Sequence, residues 1–206
     1  KECGAEYKSD VIQLGGHSVA RSLNLSNASG SGIVRPLINT AEDEGIELRT
    51  QTKLESLILN ENNRVIGARV REGYSHPEQD SGSSKNIKAN KAVILTAGGF
   101  GEDLDLRTDQ DPRLTSTVDT TNHRGATGEV HRAAFRIGAT PIQISWIQLG
   151  PWTSPDEEGM GAAPLFNVHA AFVHGVIVAR ETGKRFVNEL ADRRTRGGGI
   201  LEHQDE

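Results

Sequence analysis

The sequence predicts a mixed α/β (α+β) fold, an α/β domain carrying an antiparallel β-meander. Three observations support this. Residues 91–102, KAVILTAGGFGE, contain a short apolar run, Val93, Ile94 and Leu95, that stops at Gly98-Gly99-Phe100-Gly101. That is the pattern of a buried strand ending in a tight turn. Ile33, Leu37, Ile38 and Ala41 recur at helical spacing just after a glycine- and serine-rich loop. Between these stretches, residues 54–58 and 65–69 alternate apolar with polar, joined by the turn Asn60-Glu61-Asn62-Asn63. Helix, meander and then buried strand is the order of an α/β domain with an attached sheet.

Length and composition bound the answer. A chain of 206 residues can bury a core as one large or two smaller domains. With 35% hydrophobic and 25% charged residues, the chain reads as soluble. No apolar run approaches the roughly 20 residues that span a bilayer, and no signal-peptide core is visible. The net charge of −5 argues against a nucleic-acid partner, which needs basic patches. Cys3 is the only cysteine, so no internal disulfide forms, and a cytoplasmic or a periplasmic setting both stay open. The sequence opens without methionine and in mid-pattern, as an excised or processed piece would.

In chain order, residues 11–14 form a short strand leading into Gly15-Gly16-His17. The helix over 33–44 takes Ser29 or Ser31 as its cap, Pro36 in its first turn and Gly45 as its stop. Residues 46–50 alternate and read as a further strand, and residues 75–86 read as an exposed loop. Beyond Gly101 the sequence becomes charged, with a turn at Asp111-Pro112. An amphipathic helix follows, with Val130, Ala133, Ala134 and Ile137 on one side, Glu129 in its first turn and Gly138 as its stop. Strands are expected over 140–147 and 173–179 and from Arg185, with a long loop over 149–164. The glycine-rich end, Arg196-Gly197-Gly198-Gly199, shows no evident cap.

Residue chemistry alone narrows little. The seven histidines show no HExxH or Cys/His spacing, so no metal site is expected. No G-x-S-x-G elbow exists, and Asp156-Glu157-Glu158 reads as a solvated acidic loop. The glycine turn after Leu95 fits both a plain strand exit and a close backbone approach to a ligand. Asn122-His123-Arg124 fits both a capped helix start and a polar site, and Arg185 beside Phe186 fits an ordinary surface charge.

Together these segments resemble a family. The stretches GGHSVARSL (15–23), GSGIVRPL (30–37), KAVILTAGGFG (91–101), TNHRGATGE (121–129), IQLGPWTSPDE (147–157) and TGKRFVNELADRR (182–194) are similar, in order, to flavoprotein reductases of the fumarate reductase and flavocytochrome c group, most of all its urocanate reductase-like members. The resemblance implies FAD as cofactor. It also implies a partial FAD-binding domain over 1–145, lacking the N-terminal dinucleotide βαβ unit, and the start of a clamp (capping) domain over 146–206. Because the family's C-terminal glycine-rich segment is missing too, this stretch alone is expected to hold FAD weakly, be inactive, and self-associate through bare sheet edges. A folded, non-catalytic, self-associating module is the alternative reading.

For the parent enzyme the resemblance implies reduction of the C=C bond of an α,β-unsaturated carboxylate. Hydride comes from flavin N5, and Arg185, by its place in GKRFVNE, supplies the proton. Ala97, Gly98, Gly99, Asn122 and Thr127 would contact the flavin, and His123 the substrate. Gly150 stands where fumarate reductases carry a histidine, and the Thr-Glu pair of those enzymes is not evident after Pro155. A larger or differently charged enoate such as urocanate is therefore expected over fumarate. The implied electron donor is a haem domain, a flavin domain or a quinol-linked protein.

Overall fold

The computed structural model describes residues 3–150 and 175–203. The expected loop over 149–164 with Asp156-Glu157-Glu158, most of IQLGPWTSPDE, His169, His174 and the start of the strand expected over 173–179 lie outside the described residues. Two compact units divide the chain, Lys1–Arg49 with Phe166–Glu206, and Thr50–Leu165.

In the first unit, strand β1 (Tyr7–Ile12) pairs antiparallel with β2 (Ser22–Leu25), with Val11 opposite Leu23. Helix α1 (Ser31–Asp43) follows. Its N-cap is Gly30, which has no side chain to offer, and the Ser29 hydroxyl accepts the Ser31 N–H at 3.3 Å instead. Pro36 sits in the second turn rather than the first, so the ladder loses one donor there. Gly45, at φ +73°, ends the helix: its N–H reaches the Glu42 carbonyl and that of Ile46 the Ala41 carbonyl, the paired bonds of a Schellman stop. Residues 46–50 form no ladder, contrary to their alternation.

The unit's other segment begins with a tight turn. Val178 bridges Arg185, and Gly183, at φ +63°, donates to the Ala179 carbonyl at 2.8 Å. The glycine-rich end is not an open tail but helix α4 (Arg193–Glu202), started by Asp192, whose carboxylate accepts the Thr195 N–H at 3.1 Å. Gly15 and Gly16 pack against this segment. Gly16 donates to the Leu190 carbonyl at 3.0 Å, and a Cβ on Gly15 would stand 3.0 Å from the Arg196 guanidinium.

In the second unit, β3 (Thr52–Leu59), β4 (Val65–Glu72) and β5 (Ser83–Lys88) form an antiparallel sheet in that order. The expected meander is thus present, with a third strand drawn from residues 83–86 of the presumed loop. Glu55 stitches all three strands, accepting from Arg69, Arg71 and Ser84. Gly67 is required where β4 meets β5, because a Cβ there would collide with the Ile87 carbonyl oxygen. Helix α2 (Leu104–Gln110) lies in the charged stretch, and α3 (Glu129–Arg136) follows the glycine turn as expected, with Gly138 at φ +92° beyond it. Lys53 of β3 pairs with Glu129 of α3 at 2.6 Å, while Val70, Leu106, Leu114 and Ala133 are buried.

Two predicted strands of this unit are not formed. Residues 91–99 pair with no described strand, and Ile94 is 83% exposed. An apolar run becomes a strand only when a neighbour takes its N–H and C=O groups, and no described segment does so. Residues 140–147 instead turn at Gln143, φ +52°, where the Trp146 N–H meets the Gln143 carbonyl at 2.9 Å.

Candidate functional site

Two local arrangements bring charged and polar side chains together. In the second unit the glycine turn and the Asn122 loop are held together. Gly101 leaves room for Asn122, whose Nδ2 would collide with a Cβ there, and the Glu102 N–H donates to the Ala126 carbonyl at 2.9 Å. Asp103 fixes the assembly to both helices. One of its oxygens accepts the Leu106 N–H at 3.0 Å to cap α2, and the carboxylate grips Arg132 of α3 through two bonds of 2.7 Å. Those guanidinium bonds, aided by the cap N–H, hold the Asp103 carboxyl below the usual carboxylate range. Phe100 stacks edge-on against His131, ring centres 5.6 Å apart. Arg107 donates to the carbonyls of Gly101, Leu114, Thr115 and Val118, so one side chain ties the turn to the loop after α2.

The predicted contact residues occupy this assembly unevenly. Ala97, Gly98 and Gly99 lie exposed on the unpaired segment. Gly98 has φ +80°, and among the described residues no heavy atom lies within 4 Å of where a Cβ would stand on Gly98 or Gly99. Asn122 bonds Thr120 Oγ1 at 3.0 Å, and the Thr127 hydroxyl reaches the Gly125 carbonyl only at 3.5 Å. His123 is exposed and accepts the Gly125 N–H at Nδ1, at 2.9 Å. Gly150 has φ +100°, and among the described residues no heavy atom lies within 4 Å of where its Cβ would stand. A separate cleft of about 260 Å³, lined by Lys53, Glu55, Arg71, Glu129, Arg132 and Arg136 among others, includes none of these residues.

Arg185 belongs to the other unit. There the sequence reading missed its partner, Glu189, four residues on. Arg185 Nε donates to both Glu189 oxygens, at 3.1 and 3.0 Å, and Nη2 donates to Oε2 at 2.5 Å. Glu189 is only 4% exposed and also accepts the Ile177 N–H at 2.7 Å. The Arg185 bonds first, then that N–H, pull its carboxyl down to about 2, so it is an anion at neutral pH. Opposite charges at a spacing of four were the available signal, hidden because the segment is not helical. Asp103 was missed likewise, although an aspartate before an apolar helix start is a capping pattern. Among the described residues, no His, Cys, Asp and Glu group could hold a metal ion, and no helix is long and apolar enough to cross a membrane.

These features define a mixed antiparallel-sheet and helix fold with a bare glycine turn. The chain belongs to the FAD binding domain family, whose model matches residues 2–206, and its cofactor is FAD. It is 42% identical over 204 residues to the acrylate reductase flavoprotein subunit of Shewanella woodyi, covering 99% of this chain and 40% of that protein. To the urocanate reductase of Eggerthella lenta it is 32% identical over 193 residues, covering 93% of this chain and 30% of that protein. The open conformation of a flavocytochrome c3 fumarate reductase superposes with a TM-score of 0.69 at 28% identity, over 97% of this chain and 33% of that one. The chain thus spans 30–40% of the length of these relatives. The exposed Gly98-Gly99 turn fits the cofactor in one respect: a flat ligand can lie directly on its backbone, with no described side chain in the way.

Proposed function

We propose that the chain is part of an FAD-dependent reductase that saturates the C=C bond of an α,β-unsaturated carboxylate. The observation that carries this reading is Arg185, a guanidinium held on a buried carboxylate with its side chain still 56% exposed. A fixed, exposed cation suits a reaction in which negative charge develops on an enolate. The relatives support the substrate class, since acrylate, urocanate and fumarate all place an alkene beside a carboxylate.

When bound, reduced FAD supplies the hydride to the β-carbon from N5. Arg185 then gives a proton to the α-carbon: an N–H bond breaks, a C–H bond forms from the enolate electron pair, and the guanidine regains its proton from water. Ala97, Gly98 and Gly99, with their bare backbone, would hold the flavin together with Asn122 and Thr127. His123 and Gly150 would contact the substrate, and a glycine at 150, lacking a side chain, would suit a bulkier acid than fumarate. Electrons arrive from a haem, flavin or quinol-linked donor.

The test is turnover by the FAD-loaded holoenzyme with acrylate, urocanate and fumarate, using a reduced dye as donor. At least one acid is reduced by the native enzyme, and Arg185→Lys lowers its turnover by about 10²–10⁴-fold, the usual share of a general acid, with flavin content unchanged. Retained turnover in Arg185→Lys removes Arg185 from the acid role. Failure to reduce any of the three acids, or a protein that stays colourless at saturating FAD, sinks the enzymatic reading and favours the non-catalytic module.

A further inference from the structure

The environment of Arg185 is asymmetric. Nε and Nη2 are both committed to Glu189, whereas Nη1 makes no hydrogen bond among the described residues. The arginine side chain is 56% exposed and its carboxylate partner 5%. The carboxylate is anchored from behind by the Ile177 N–H, and the Glu189 carbonyl accepts Nη1 of the buried Arg196 at 3.1 Å. Ile177 adjoins the Val178–Arg185 bridge, which the Ala179 N–H to Lys184 carbonyl bond of 2.9 Å closes. Arginine and carboxylate therefore hang from one short turn and keep their mutual geometry.

We propose that Glu189 is the positioning residue for the proton donor: it grips Nε and Nη2 of Arg185 and so presents Nη1 as the nitrogen that meets the substrate and releases the proton. This rests on the reading of the chain as an enoate reductase with Arg185 as its acid. A planar guanidinium gripped along one edge cannot swing about its stem, so the opposite edge points in one direction. An ammonium makes no such two-point grip, which gives a physical reason for arginine at this place. Glu189 is ionised and has no proton to pass on, so its work is orientation and counter-charge. The proton lost from Nη1 is replaced from water.

Two measurements test this, one independent of turnover. In the full chain, labelled with ¹⁵N, the Arg185 Nε–H resonance is expected to be shifted and slow to exchange at neutral pH. It should revert to a solvent-exposed position in Glu189→Gln and hold its place in Glu189→Asp. An unchanged resonance in Glu189→Gln overturns the grip. In the FAD-loaded holoenzyme, Glu189→Gln is expected to keep its flavin and its KM while kcat falls by about 10²-fold, the cost of a misplaced reacting group, with partial recovery in Glu189→Asp. Added guanidinium should restore some turnover to Arg185→Ala but none to the Arg185→Ala, Glu189→Gln double variant. If Arg185→Lys abolishes reduction while Glu189→Gln retains full kcat, the positioning role is wrong and the reductase reading stands. If Arg185→Lys stays active, the reading beneath both has failed.

Discussion

Replacing Asp103 by alanine should loosen the join between the glycine turn, α2 and α3. The substitution removes one helix cap, worth about 1 kcal/mol, together with the two-bond grip on Arg132. Buried, each charged bond would be worth about 1.5–3 kcal/mol. Arg132 is 40% exposed, however, so the pair lies nearer to an exposed ion pair and contributes about 1 kcal/mol. The sum is about 2 kcal/mol, which for a chain of this size lowers Tm by about 4–8 °C. Asp103→Asn separates the two contributions, because asparagine caps as well as aspartate but carries no charge; it should show about half the loss. Thermal unfolding followed by circular dichroism at neutral pH reads both variants. A native Tm in Asp103→Ala, or an Asp103→Asn as damaged as the alanine variant, would refute the assignment of cap and ion pair.

The same carboxylate predicts an acid limb. Its folded value is depressed by Arg132 and the cap N–H, so its contribution is fully present above the unfolded value of about 3.9 and disappears as pH falls through the lower folded value. Native protein should therefore lose more stability than Asp103→Asn between neutral pH and about 3, since asparagine does not titrate; parallel pH profiles would contradict this. Arg107→Met should cost about 2–4 kcal/mol, because four carbonyls lose a charged donor. The check is the urea midpoint, with faster amide exchange over residues 114–118; an unchanged midpoint would mean that those bonds do not hold the loop. Gly67→Ala should destabilise the three-stranded sheet by about 1–3 kcal/mol, since its methyl group meets the Ile87 carbonyl. A neutral result in the same urea titration would show that β5 moves freely aside.

Local signals set much of the fold. Alternation around Asn60-Glu61-Asn62-Asn63 specified β3 and β4, because their bonds are made by strands a short turn apart. Gly45 and Gly138 ended their helices for a backbone reason, a positive φ that few other residues adopt readily. The order of six matching stretches identified the family, and with it FAD, where no single motif could. Tertiary structure decided the rest. Residues 91–99 have the composition of a strand, but a strand also needs a neighbour, and composition does not supply one. The glycine-rich segment 196–199 shows no evident cap in the sequence, yet the Asp192 cap and the burial of Arg196 make it helical. Glu189 looks like any surface acid until the turn at Gly183 folds Arg185 and Ile177 around it. Sequence determines which residues are able to form a turn, cap or strand; which charge is buried against which is settled only when distant backbone closes over it.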